Sequence, residues 1–209
     1  MTVWAVVVAG GGGERFGAPK QFAMLDGRPL VSWAVDAARG AVDGVVLVLP
    51  ADRLGNSYGA DVVVAGGASR AASVRAGLAA IPESAAIVVV HDGARPLATS
   101  ALFRAVVAEV AAGASGAVPG LAVADTLKVV AEGVVVETVP RVGLVGVQTP
   151  QAFRADVLRA AHAGEPEATD DAGLVEATGA TVRVVAGDPR NIKVTTVADL
   201  EMLSLLVGR

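Results

Sequence analysis

The stretch Val3-Trp4-Ala5-Val6-Val7-Val8-Ala9-Gly10-Gly11-Gly12-Gly13-Glu14-Arg15-Phe16-Gly17-Ala18-Pro19-Lys20-Gln21 decides the reading of this chain. Val3 to Val8 is a continuous apolar run, the pattern of a buried strand. Four consecutive glycines then remove every Cβ from the turn, so the backbone can take positive φ and approach a ligand closely. Successive exposed N–H groups make a concave anion site, and Arg15 and Lys20 flank it with two positive charges. Amides to donate and cations to neutralise suit a nucleoside triphosphate. Two better-known phosphate loops do not fit. In a Gly-x-Gly-x-x-Gly fingerprint the third glycine falls on Arg15 or Phe16, and a Walker A loop needs Gly-Lys-Ser/Thr where Gly17 is followed by Ala18. The plainer alternative is a flexible glycine turn with two solvated cations, so the rest of the chain has to decide.

Working outward, the 209 residues allow one α/β domain, and 53% hydrophobic with 18% charged residues allows a large core. Aromatics are only 3%, leaving Ala and Val to fill that core. The absence of cysteine excludes a disulfide framework, a thiolate metal site and a thiol nucleophile, and fits a reducing cytosol. Met1-Thr2-Val3-Trp4 lacks a basic n-region, so no signal peptide is expected, and no apolar run approaches the roughly 18 residues of a membrane span. A net charge of −4 argues against general nucleic-acid binding. An anionic substrate must therefore meet a local cationic cluster.

Strand and helix signals then alternate. Asp26-Gly27 reads as a hairpin-type turn, Leu30, Trp33, Ala34 and Ala37 recur at helical spacing up to Gly40, and Val45 to Leu49 is a strand stopped by Pro50. Asp61 to Ala65 is a strand, and Ser69 is the expected cap of a helix carrying Val74, Leu78 and Ile81. Ala86 to Val90 runs into His91-Asp92-Gly93-Ala94-Arg95-Pro96, Thr99 or Ser100 caps a helix over Leu102 to Val110, and a short strand ends at Val118 near Pro119. This is the pattern of a mostly parallel, Rossmann-like sheet with helices on both faces. Ligands of such sheets sit beyond the carboxyl ends of the strands. The glycine turn, Gly66-Gly67 and His91-Asp92 all follow predicted strands and should meet on one edge. His91, ending a buried strand, is read as structural.

Residues 125–147 break the rhythm. Val130, Val134, Val136 and Val139 flank a turn at Gly133, giving a protruding β-arm with no helix to cover it. An apolar face without a local partner implies packing on a second subunit. Beyond the arm come helices near Val157 to Ala161 and Ala172 to Thr178, the second capped by Thr169. A strand at Val182 to Val185 and a last helix from Thr196 through Leu206 follow.

Seven blocks in register now carry a resemblance: Ala9 to Phe16 with Pro19-Lys20-Gln21; Gly66-Gly67 with Arg70 and Ser73-Val74; His91 to Pro96; Asp125-Thr126-Leu127-Lys128; Gln148-Thr149-Pro150-Gln151; Thr169-Asp170-Asp171-Ala172; and Asn191-Ile192-Lys193-Val194-Thr195. Together, over essentially the whole chain, they resemble the 2-C-methyl-D-erythritol 4-phosphate cytidylyltransferases of the non-mevalonate isoprenoid pathway, in the form without a second fused enzymatic domain. The resemblance implies a nucleotidyltransferase-type α/β fold in one domain over 1–209, with a dimerisation arm at about 125–147. It implies a cytoplasmic homodimer that turns CTP and methylerythritol phosphate into CDP-methylerythritol and pyrophosphate with Mg²⁺. No nucleic-acid or membrane partner is expected.

Residue by residue, it implies that the backbone of Ala9, Gly10, Gly11, Gly12 and Gly13 cradles the triphosphate, while Arg15 and Lys20 neutralise the leaving pyrophosphate. Lys193 reaches the α-phosphate. Gly67 and Ser73 hold the cytosine and ribose region. Asp92 and Arg95 contact the methylerythritol moiety, with Asp92 also a candidate Mg²⁺ ligand. Thr126, Arg141 and Thr169 bind the substrate phosphate, the first two across the dimer. Each has a plainer alternative: Asp92 as a turn residue, Lys20 and Arg141 as solvated cations, Ser73 making a local backbone bond, Thr169 as a cap. Glu14 puts a negative charge beside the loop without an evident reason. A ribitol 5-phosphate cytidylyltransferase shares the loop and the Gln-Thr-Pro-Gln block. Ala94 and Lys128 favour methylerythritol phosphate as acceptor. A non-catalytic nucleotide-binding relative should have lost charged positions that are present here.

Overall fold

The computed structural model describes residues 1–11, 16, 17 and 19–207. β1 (Val3–Val8) lies between β4 (Gly44–Leu49) and β6 (Ile87–Asp92), parallel to both, and β5 (Val62–Ala65) adds in parallel to β4. Every residue of β4 and β6 is buried. Such strands are apolar on both faces, which is why Val45 to Leu49 and Ile87 to Val90 read as unbroken Val/Leu/Ile runs.

The two faces carry separate cores. Val3, Ala5 and Val7 of β1 pack with Val31, Val35, Phe103 and Val106 from α1 (Leu30–Arg39) and α3 (Ser100–Ala111). Val6 faces the other way, with Val74 and Leu78 of α2 (Arg70–Ala79), Leu158 of α4 (Ala155–Ala161) and Val175 of α5 (Asp171–Ala177). A third, smaller cluster joins Leu25, Leu30 and Val194 to Leu203 of α6 (Val197–Val207).

The remaining strands extend the sheet past β6. β11 (Gln151–Arg154) is wedged antiparallel between β6 and β7 (Gly116–Ala122), and β12 (Val182–Ala186) runs parallel along the far edge of β7. β10 (Val145–Val147) pairs antiparallel with the end of β7. Among the described residues the sheet has eight strands, in the order β10-β7-β11-β6-β1-β4-β5, with β12 on β7. The mostly parallel α/β fold expected from the sequence is the one found. No helix among the described residues is long and apolar enough to cross a membrane.

The short hairpin of β2 (Met24–Leu25) and β3 (Arg28–Pro29) turns at Asp26 and Gly27, both at positive φ, 48° and 73°. The arm is likewise a hairpin of its own, β8 (Leu127–Ala131) against β9 (Val134–Val139), turning at Glu132 and Gly133 with φ 49° and 80°. Positive φ at both central residues is the two-residue turn whose twist matches paired strands.

Three expectations are corrected. β7 does not stop at Val118 but continues through Pro119, whose carbonyl accepts from the Gln148 amide at 2.8 Å. β6 runs on to Asp92 rather than ending at Val90, so His91 and Asp92 are strand residues. The cap of α5 is Asp170, whose carboxylate accepts from Gly173 N at 3.1 Å, and not the exposed Thr169. Ser69 and Thr99 cap α2 and α3 as expected, accepting from Ala72 N and Leu102 N.

Candidate active site

A cavity of about 280 Å³ opens at the carboxyl ends of β1, β5 and β6. Val8 to Gly11 leave β1 along its floor, Gly67 to Arg70 and Ser73 form one wall, and Asp92 and Ala94 another. Lys20, Gln21 and Lys193 complete it. The three post-strand segments thus converge as the parallel pattern requires. Gly12, Gly13, Glu14 and Arg15 lie outside the described residues.

Polar side chains shape the backbone of this cavity. Gln21, 3% exposed, donates from Nε2 to Ala9 O at 2.7 Å and Gly11 O at 2.9 Å, which holds the start of the glycine turn in place. Ser73 Oγ accepts from Gly67 N at 3.2 Å and donates to Ser69 O at 2.9 Å. The local backbone bond foreseen for Ser73 is therefore real, and the residue also faces the cavity. Gly67 has no room for a side chain, since a Cβ would stand 2.5 Å from Ala72 Cβ.

Charge converges on Asp92. Its Oδ2 accepts from Lys193 Nζ at 2.6 Å and its Oδ1 from Arg70 Nε at 3.2 Å. Burial alone would raise the carboxyl pKa, but Arg70 and Lys193 outweigh it and hold Asp92 well below the usual carboxylate range. Asp92 is therefore ionised at neutral pH. Burial also works against the charge of Arg70, whose pKa Asp92 and Asp171 nevertheless raise. Asp92 N donates to Thr149 Oγ1 at 3.1 Å, and that hydroxyl lies 3.1 Å from His91 Nδ1. With Nδ1 accepting, His91 Nε2–H donates to Arg95 O at 3.2 Å. The ring is fully buried, and burial lowers its pKa to about 4. His91 is a neutral structural histidine, as read from the sequence.

A second polar set positions Lys193 from behind. Asn191, wholly buried, donates to Thr149 O at 2.8 Å, and Gln148 Nε2 donates to Asp188 O at 2.9 Å and Asn191 O at 3.2 Å. Arg95 Nη1 also donates to Asn191 O, at 2.7 Å, and Val194 N to Ala94 O at 2.9 Å. The Gln-Thr-Pro-Gln and Asn-Ile-Lys-Val-Thr blocks are thus a clasp that sets the lysine at the cavity.

Of the residues singled out in the sequence, Ala9, Gly10, Gly11, Lys20, Gly67, Ser73, Asp92 and Lys193 line the cavity. Arg95 stands outside the lining, half-buried in the clasp. Thr126, Arg141 and Thr169 are exposed and do not line it. Arg141 instead donates to Ala124 O at the base of the arm. Sequence reasoning gave no role to Gln21 or Arg70. Gln21 carried a usable signal, an amide beside a glycine turn whose carbonyls need donors. Arg70 carried none, because both of its partners are distant in sequence.

A parallel sheet that gathers a glycine turn, two lysines and an arginine about one ionised carboxylate defines a nucleotidyltransferase-type α/β protein. The family model described as 2-C-methyl-D-erythritol 4-phosphate cytidylyltransferase matches residues 3–209. The cytidylyltransferase of that name from Nocardia farcinica is 47% identical over 219 residues, covering 100% of this chain and 95% of its own. The one from Frankia casuarinae is 46% identical over 217 residues, covering 99% and 82%. The crystal structure of the Thermus thermophilus enzyme superposes with a TM-score of 0.87 at 37% identity over 100% of both chains. The chain belongs to the 2-C-methyl-D-erythritol 4-phosphate cytidylyltransferase family.

Proposed function

We propose that the cavity at the strand ends is where this chain, a nucleotidyltransferase by family, binds CTP and transfers its cytidylyl group to 2-C-methyl-D-erythritol 4-phosphate. The products are 4-diphosphocytidyl-2-C-methyl-D-erythritol, an isoprenoid precursor, and pyrophosphate. The observation that carries the reading is the meeting of Lys20, Arg70 and Lys193 with Asp92 at the mouth of the glycine turn. An oxygen of the acceptor's phosphate forms the new bond to the α-phosphorus, and the bond from that phosphorus to the β-bridging oxygen breaks. No protein nucleophile is needed, so the chain's work is positioning and charge neutralisation.

The amides of Gly10 to Gly13 take the β- and γ-phosphates, whereas the Ala9 amide, expected to join them, donates to Val48 O at 2.8 Å and stays with the sheet. Arg15 and Lys20 neutralise the leaving pyrophosphate, and Lys193 takes charge at the α-phosphate. Gly67 and Ser73 face the cytidine. Asp92 faces the methylerythritol, and Arg95 supports the same wall through Asn191 O. Among the described residues Asp92 is the single carboxylate in the cavity lining, and no cluster of three acidic, histidine or cysteine side chains exists. That donor set fits Mg²⁺ held chiefly by substrate phosphates and water, with Asp92 as its protein partner. Mg²⁺ so bound would offset charge on the phosphates.

The exposed arm supports a homodimer in which Thr126 and Arg141 reach the substrate phosphate of a second copy, beside that copy's Thr169. The lack of cysteine supports a cytoplasmic setting. The test is pyrophosphate release from CTP and Mg²⁺ with and without each acceptor. Release with methylerythritol phosphate is the expected outcome. Release only with ribitol 5-phosphate would move the acceptor, and silence with both would end the reading.

A further inference from the structure

The cation that braces Asp92 is itself braced from the far side. Arg70 Nη1 donates to Asp171 Oδ2 at 2.8 Å while its Nε donates to Asp92 Oδ1 at 3.2 Å. The Asp171 side chain is 1% exposed, and its other oxygen meets His162 Nε2 at 3.0 Å. Since both Asp171 oxygens are acceptors, His162 Nε2 carries a proton. Among the described residues, His162 Nδ1 is buried without a protein partner.

The result is a continuous line, His162 to Asp171 to Arg70 to Asp92 to Lys193, running from the buried end of α4 through the start of α5 to the cavity. A guanidinium is a rigid planar fork, so fixing one edge aims the other. An arginine held only by Asp92 would follow that carboxylate wherever it went, or turn to a bound phosphate. Held by Asp171 as well, it fixes where Asp92 stands. It also keeps Asp92 paired when Lys193 leaves it for the nucleotide.

We propose that Asp171 is a positioning residue of this enzyme, acting through Arg70 to fix Asp92, with His162 holding Asp171. The inference rests on the reading that Asp92 faces the polyol phosphate. Loss of Asp171's charge should therefore raise KM for the polyol phosphate and lower kcat, and leave KM for CTP nearly unchanged.

The experiment is steady-state kinetics of the full chain in a double-mutant cycle. Asp171→Asn is expected to lower kcat/KM for the polyol phosphate roughly 10- to 100-fold, the scale of a small misplacement of reacting groups. In an Arg70→Gln background the same change should cost less than about twofold, because the arm of the line it acts through is gone. A full 10-fold further loss in that background would overturn the proposal. If Asp171→Asn does not fold, Arg70→Lys serves: a point charge cannot bridge both carboxylates, so a similar loss is expected, and wild-type kinetics would refute the bridge. Asp92→Asn run alongside separates the two readings. If it leaves KM for the polyol phosphate unchanged, the assignment of Asp92 fails; if it raises that KM while Asp171→Asn does not, the positioning role alone fails.

Discussion

The parallel strands and the arm are both valine-rich, and they live in opposite surroundings. Val45, Val46 and Val48 of β4 are wholly buried, between helices on two faces. Val130, Val134, Val135 and Val136 of the arm are 56–64% exposed, with no helix laid on them. Runs of valine in sequence therefore report a wish to be covered, and not by what. In the body the covering helices lie close by in the chain, α1 just before β4 and α2 just after β5. In the arm no element among the described residues supplies it, which is the ground on which the proposed dimer rests.

The hardest blow to this contrast is excision of residues 127–139 with a short linker. The body should keep its fold and its melting temperature within a few degrees, while the molecule becomes monomeric by light scattering and its turnover falls to background. A monomer with full activity would refute the shared site. Next, Phe153, wholly buried beside Gly116, should cost about 3–5 kcal/mol in urea unfolding when cut to alanine. Val135→Ala in dilute monomer should change stability by less than about 0.5 kcal/mol, the ordinary surface value. Comparable losses at both sites would erase the distinction.

Lys193→Ala probes the body's chemistry apart from its packing. Turnover should fall by roughly two to three decades, about 3 kcal/mol, as when one preorganised charge donor is removed, with little change in melting temperature. The body should also respond to acid through His91, buried neutral with its pKa lowered to about 4. The unfolded chain takes up this proton near pH 6.5 and the folded chain only near 4. Stability is thus fully present above 6.5 and lost as pH falls through that window, by an amount on the order of a few kcal/mol. His91→Gln should flatten the slope of stability against pH between 6.5 and 4, and an unchanged slope would sink the assignment. The smallest effect separates two neighbours: Asp170→Ala should cost about 1 kcal/mol by removing a cap, whereas Thr169→Ala should lower activity and spare stability. Loss of stability at Thr169 would return it to the role of cap.

The order of elements was legible because each body strand announces itself with an apolar run and each helix with a cap. Ser69, Thr99 and the Asp26-Gly27 turn could be read from a few adjacent residues. Thr169 and Asp170 could not be ranked, since both are good caps; Gln151, whose Nε2 donates to Asp170 at 3.1 Å, helps hold the one that serves. The end of β7 was misplaced because proline normally stops a ladder, and here the strand needs only its carbonyl. In the site, residues facing the cavity from the loops were found through their spacing within motifs. Arg70 and Asp171 stood in those motifs without a role, because they are 101 residues apart and each looks like a helix-start charge until the fold joins them. The clasp under Arg95 was hidden for the same reason: its hydrogen bond to Asn191 O spans 96 residues.

The pairing of Asp92 with Lys193 has a further consequence. If Lys193 takes the α-phosphate as proposed, the free protein carries its own counter-ion where that phosphate would sit. Binding the nucleotide at Lys193 is then an exchange of one anion for another, and the net gain is only the difference between them. Counted as bare positive charges, the cavity would overstate both its affinity and its sensitivity to salt. An internal counter-ion also discourages small anions such as inorganic phosphate, which offer too little to displace a buried carboxylate held within 2.6 Å. A triphosphate bound as proposed, at the glycine turn and several cations at once, would offer enough.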